Sequence, residues 1–129
     1  VKNIEPRHLD LAKGELPEER FDLIFSSMAL HHIKDVDNLL KTFFNLLKAG
    51  GMLALADLDA EDGGFHGDIP EVFHLGFDRK ELGRMLEKKG FTEIAATTAH
   101  VMKKESSTTK KPSEFPVFLI TAKKQEVLS

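Results

Sequence analysis

An α/β fold, with a mostly parallel sheet finished by an antiparallel β-hairpin, follows from three observations. Residues 21–27, FDLIFSS, form a short and nearly all-apolar run, the pattern of a strand covered on both faces, and such strands belong to parallel sheets. Residues 34–51 repeat apolar positions at spacings of three and four and lead into a second apolar run at 52–58, which together make a βαβ unit. Beyond a second helix, residues 91–102 and 115–124 are β-rich and joined by the polar stretch ESSTTKKPS, so they read as a long hairpin with an exposed connection.

Each element has a local reason. A first strand over residues 2–9 is interrupted by Pro6. In the first helix Asp35 is placed to cap, Val36, Leu39, Leu40, Phe43, Phe44 and Leu47 form the buried stripe, and Gly50 with Gly51 supplies a left-handed stop. In the second, Asp78 is the N-cap with Glu81 three residues on, and Phe77 and Leu82 occupy the staple positions around it. Leu82, Met85 and Leu86 give its stripe, Gly90 ends it, and Gly83 costs it about 1 kcal/mol relative to Ala. Pro116 lacks an N–H and belongs near a strand start. The expected order is β, β, α, β, α, β, β.

At 129 residues the chain is one domain's worth, enough for a single core. No apolar run approaches the ~20 residues of a membrane span, and no cationic-then-apolar leader opens the chain, so a soluble, cytoplasmic protein is expected. The absence of cysteine removes disulfides, cysteine-ligated metals and thiol nucleophiles. A net charge of −3 argues against nucleic acid and anionic membrane as partners. Lys103, Lys104, Lys110 and Lys111 cluster, but without interleaved aromatic residues they read as a solvated loop. The chain begins at Val1, as a processed start or a piece of something longer would.

The strand ending in Asp10 and Leu11, the turn at Leu16 and Pro17, FDLIFSSMALHHI, a helix ending in LLKAGG, and MLALADLD resemble, in that order, the later motifs of class I S-adenosylmethionine-dependent methyltransferases. The look is closest to the branch holding the ubiquinone and menaquinone C-methyltransferases, and GFDRKELGRMLEKKGF with the terminal hairpin resembles that fold's last helix and strands. The resemblance implies a partial Rossmann-like methyltransferase fold, with residues 1–129 as the C-terminal part of one domain. The family's glycine-rich turn and its ribose-binding acid have no counterpart, since neither Gly50–Gly51 nor Gly63–Gly64 follows a strand and opens a helix. The complete domain would use S-adenosylmethionine, and this chain alone would bind it weakly and be inactive.

By this resemblance the cofactor-binding residues are Asp10, accepting from the adenine amine, Leu11, whose N–H meets a ring nitrogen, and Ser26, Ser27 and Met28 at the carboxyl edge of FDLIFSS, facing the methionine part. Asp10 equally suits a turn at a strand end, and the serines suit a strand closing. His31 and His32 are the catalytic candidates. Methyl transfer from a sulfonium is an in-line displacement that needs orientation and a dry site, and a base only where the acceptor must lose a proton. Histidine has the right ordinary pKa, about 6.5, although a pocket or helix-entry role fits the pair as well.

Asp57, Asp59, Glu61 and Asp62 crowd the end of MLALADLD, with His66, Asp68 and His74 beyond, yet their spacing fits no metal-ligand motif and no metal site is expected. With Gly63, Gly64 and Gly67 they read as a solvated, flexible loop on the acceptor side, where selectivity resides in parallel α/β folds. Methyl transfer to a small-molecule acceptor is therefore expected, as part of a longer enzyme. The contrasting reading is a non-catalytic, truncated methyltransferase-like interaction module. In either case FDLIFSS would present an apolar edge, expected to pair with the chain's own N-terminal strand, with another copy in a homo-oligomer, or with the missing half.

Overall fold

A computed structural model of the chain describes residues 3–67 and 72–126. Its elements are β1 (Phe21–Ser27), α1 (Val36–Leu46), β2 (Leu47–Leu58), α2 (Arg79–Lys88), β3 (Phe91–Glu105) and β4 (Pro112–Lys124), with short 3₁₀ turns at Leu11–Lys13 and Leu30–His32. The sheet runs in the order β1-β2-β4-β3. Strands β1 and β2 are parallel, as the βαβ reading requires, and β4 lies antiparallel to both β2 and β3.

The expected first strand is absent. Residues 3–9 belong to no ladder, and Lys2 lies outside the described residues. Pro6 has no N–H to give a sheet, and the segment instead ends in the 3₁₀ turn that follows Asp10. The open edge of the described sheet is therefore β1 itself.

Helix α1 starts where expected, with the Asp35 side chain accepting from the Asn38 N–H. It stops before Leu47 rather than at the glycines. Leu47 already has extended geometry and pairs with Phe21, and the Lys124 ammonium donates to the carbonyls of Phe44 and Leu47 at 2.9 Å. A cation on the last carbonyls of a helix closes it without a left-handed residue. Helix α2 is capped by Asp78, whose carboxylate accepts from the N–H groups of Lys80 and Glu81. Phe77 packs into the same cluster as Leu82, so the staple forms as well.

Both helices cover one face of the sheet. Leu39, Leu40, Phe43, Leu82 and Leu86 meet Leu53, Leu55, Phe118, Ile120 and Ala122 there, in a cluster whose members are nearly all sealed from water. The other face holds a smaller cluster of Ala56, Leu58, Phe65, Phe115 and Val117. It does not reach β1, where Leu23 and Phe25 remain 58% and 63% exposed beside Met52 at 44%. The expectation that FDLIFSS is covered on both faces thus fails on one face, because the two helices lie together on the other. The hairpin is longer than its sequence pattern suggested, and its connection shrinks to residues 106–111.

Among the described residues no helix is long and apolar enough to cross a membrane. Two substitutions in α2 have opposite expected signs. Asp78→Ala removes the cap and lowers stability by about 1 kcal/mol. Gly83→Ala raises it by up to about 1 kcal/mol, since the added Cβ would meet only Ile94 at an ordinary 3.8 Å. Urea unfolding of the two variants checks both signs.

Candidate functional site

At the carboxyl end of β1 the chain leaves the sheet abruptly. The Met28 N–H still donates to the Ala56 carbonyl at 2.8 Å, but Met28 itself sits at φ 55°, a left-handed conformation that side chains rarely adopt. The 3₁₀ turn Leu30–His32 follows at once and carries the two histidines over the end of β2.

What holds them there is Asp57. Its carboxylate is fully buried and receives three donors: the His31 Nδ1–H at 2.7 Å, the His31 backbone N–H at 3.3 Å and the Leu58 N–H at 2.8 Å. Asp57 was expected among the acids that crowd the end of the 52–58 strand. It is a buried position at the end of β2, and each of its donors is local and fixed. The two histidines consequently part ways. His31 is buried and committed to Asp57, whereas His32 is exposed with its ring 4.2 Å from that of His31.

The loop after β2 is also not the free, solvated segment that its glycines suggested. Asp59 pairs with Arg79 through two hydrogen bonds of 2.7 and 2.9 Å. Glu61 Oε2 accepts from the N–H groups of Gly63 and Phe65, and Asp62 Oδ1 from that of Gly64. The β3–β4 tip then clasps the loop from outside. The Ser107 N–H donates to the Gly64 carbonyl at 2.7 Å, the Thr108 hydroxyl to Asp62 at 2.9 Å, and the Lys104 ammonium to the Phe65 carbonyl while lying 4.5 Å over the Phe65 ring. Only glycine fits at 64, because a Cβ there would lie 2.2 Å from Ser106 Oγ. Ser106, expected in an exposed connection, is buried by this contact.

The clasp sets His66 against the histidine pair, with ring centroids 4.7 Å from His31 and 5.9 Å from His32. Burial, and then the neighbouring His31, His32 and Lys104, hold the His66 pKa below the ordinary histidine value. Residues 73–77 close the other side. The His31 carbonyl accepts from the N–H groups of Phe73 and His74, and the His74 Nε2–H donates to the Ile33 carbonyl at 2.8 Å. Asp68 lies outside the described residues. Among those described, no three acidic or histidine side chains converge as metal ligands.

A groove of about 310 Å³ lies on the helix-bearing side of the same strand ends, with Asp10, Leu11, Ser26, Ile33, Leu39 and Phe43 in its lining. Asp10 makes the turn through its backbone, its carbonyl accepting from the N–H groups of Lys13 and Glu15, and its side chain makes no capping bond. The carboxylate lies 3.9 Å from the exposed Lys13 ammonium, and Asp10 lines the groove. The structure brings Asp10, Leu11 and Ser26 together and sets the other candidates apart. Ser27 alternates to the opposite face, and the Met28 side chain packs with Ala56 and Phe65. A larger hollow, about 430 Å³, lies at the other end of the strands around Thr92 and Lys123, away from every candidate residue. Asp57 and Lys104 were missed as site residues, although an aspartate inside the apolar run MLALADL was a usable signal for a buried carboxylate.

Residues 2–97 match the methyltransferase-domain family. The chain belongs to that family. Phosphoethanolamine N-methyltransferase 1 of Arabidopsis thaliana is 30% identical to this methyltransferase domain over 98 residues, covering 73% of the chain and 20% of the relative. Among solved structures, Haemonchus contortus phosphoethanolamine N-methyltransferase 2, in complex with phosphomonomethylethanolamine and S-adenosylhomocysteine, superposes with a TM-score of 0.66 at 16% identity, over 89% of the chain and 36% of its own. The CurJ carbon methyltransferase gives a TM-score of 0.67 at 16% identity, over 92% and 34%. The fold is thus the class I methyltransferase fold in partial form, and the chain spans about a fifth of the plant relative. S-adenosylmethionine is the cofactor of complete domains of this class.

The depressed His66 pKa has a stability consequence. Unfolding returns the imidazole to about 6.5, so the unfolded state takes up a proton at higher pH than the folded state does. Stability is then full above that value and falls as pH drops through it toward the folded pKa. Acidification from about pH 7 to 5 should destabilise the wild type more than His66→Asn, measured by urea unfolding at each pH.

Proposed function

We propose that this chain is the acceptor-side portion of an S-adenosylmethionine-dependent methyltransferase that methylates a small-molecule amine in the cytoplasm. The observation that carries the reading is the groove where Asp10, Leu11 and Ser26 meet at the strand ends. Its chemistry fits the adenine end of the cofactor: Ile33, Leu39 and Phe43 offer apolar walls to a flat base, and the Asp10 carboxylate, uncommitted to a cap, can accept from an exocyclic amine. The Leu11 N–H would meet a ring nitrogen, and the Ser26–Met28 edge would hold the methionine portion. The bound cofactor supplies an electrophilic methyl group. This chain's residues supply placement and water exclusion: Asp57 fixes His31, His31 fixes the turn, and the turn sets His32 beside the site, where it takes the proton of an acceptor that must lose one.

The amine rests on the N-methyltransferase names among the relatives. The branch resemblance to quinone C-methyltransferases implies a phenolic ring carbon instead, so both belong in the acceptor panel. In the complete enzyme, Asp10→Ala should weaken cofactor binding by about 1–3 kcal/mol by calorimetry. His32→Asn should lower turnover while leaving that affinity intact, by a hundredfold or more, roughly, where proton removal limits the rate. Unchanged cofactor affinity in the first variant would return Asp10 to turn formation alone.

The open edge of β1 and the exposed Leu23, Phe25 and Met52 beside it are the surface for the half of the domain that bears the glycine-rich turn. Alone, the chain should self-associate in light scattering. Co-expressed with that half, it should form a one-to-one complex, and Phe25→Glu should abolish both associations. A monodisperse monomer indifferent to the other half would count against this pairing.

A further inference from the structure

The loop between β2 and α2 contains an oddity that the methyl-transfer reading does not use. Among the described residues, the buried side-chain atoms without a hydrogen-bond partner are Glu61 Oε1 and His66 Nε2. Each costs about 1–3 kcal/mol if left so. Yet the loop bearing them is among the most heavily tied segments of the chain, staked by Glu61 Oε2, Asp62, Lys104 and Ser107. Free rotation does not explain them, since the other Glu61 oxygen is engaged by Gly63 and Phe65, and the His66 ring is wedged against Phe65 and His31.

Their chemistry narrows what belongs there. A carboxylate oxygen only accepts, and a neutral imidazole presents one lone pair. The lowered His66 pKa favours the neutral ring, whose Nε2 accepts when the proton sits on Nδ1, and in that tautomer the two atoms together ask for donors. An anionic group would face an unpaired carboxylate oxygen, and a quaternary cation has no N–H to give. A primary or secondary amine, with two or more N–H groups, satisfies both atoms.

We propose that Glu61 Oε1 and His66 Nε2 form an amine-binding pair, which holds the acceptor nitrogen by its N–H groups beside His32. This rests on the amine reading above and extends it to specific residues. Lys104 is the positioning residue: by holding the Phe65 carbonyl and covering its ring, it keeps His66 turned toward the histidine pair.

The test uses the whole chain labelled with ¹⁵N-histidine, probed with ethylammonium and, as a cation of equal charge without N–H groups, tetramethylammonium. Ethylammonium should shift the His66 Nε2 resonance saturably, and tetramethylammonium should not. Glu61→Gln and His66→Phe, the second of which keeps the ring packing, should each weaken ethylammonium binding roughly tenfold or more. Should His66→Phe fail to fold, the comparison of the two cations on the wild type still decides. An equal response to both cations, or none at His66, overturns the proposal. Amine turnover by the complete enzyme without a His66 response would sink this site and leave the methyl-transfer reading standing. A His66 response in an enzyme that methylates no amine would support the site and sink that reading.

Discussion

A carboxylate buried at the end of a β-strand is expensive, of the order of several kcal/mol before its partners are counted. Asp57 bears that cost at the junction of β2 with the loops, and three N–H donors offset it: one from its own strand and two from His31. The consequence is geometric. The 3₁₀ turn after β1 is tied to the neighbouring strand by side chain and backbone together, so its position is set by the sheet. The returning segment at Phe73 and His74 hangs in turn on the His31 carbonyl. Removal of the Asp57 carboxylate would leave three donors unpaired at once and release two loops together.

The sheet's two faces do different work. The helix-bearing face holds the larger cluster and, at its rim, the groove with Asp10, Leu11 and Ser26. The opposite face carries the smaller cluster, in which Phe65 and Phe115 meet edge to face at 5.3 Å. Phe65 is the neighbour of His66, so that minor cluster is what seats the loop after β2. Packing and the histidine cluster are joined through one dipeptide.

Local chemistry was legible in the sequence. Asp35 and Asp78 cap their helices because a short acidic side chain ahead of an apolar stripe has little else to do, and the βαβ unit and hairpin followed from periodicity. What failed to show were effects of distant partners. Helix α1 ends at Leu46, ahead of Gly50 and Gly51, because Lys124, far along the chain, takes the carbonyls of Phe44 and Leu47. Glycines and acids after β2 look like solvent-exposed loop until the β3–β4 tip closes over them. The strand expected over residues 2–9 is interrupted by Pro6, which has no N–H to give a ladder, and the segment ends in the turn after Asp10. Within the site, Asp10, Leu11 and Ser26 line one groove. Strand alternation separated Ser27, and a left-handed turn separated Met28.

The place of β4 in the sheet has a bearing on the order in which the molecule assembles. Among the described residues it is the last element in sequence, yet it lies between β2 and β3. Leu53 pairs with Ala122, and Leu55 with Ile120, across more than half the sequence. Among the described strands β2 therefore has only β1 to pair with until β4 is made. Loop closure over such separations is slow, and exposed strand edges in the interval are prone to mispairing. The same late strand brings Lys124 to the end of α1 and completes the hairpin whose tip closes over Gly64. The loop after β2 is therefore finished only once β4 has been made and paired.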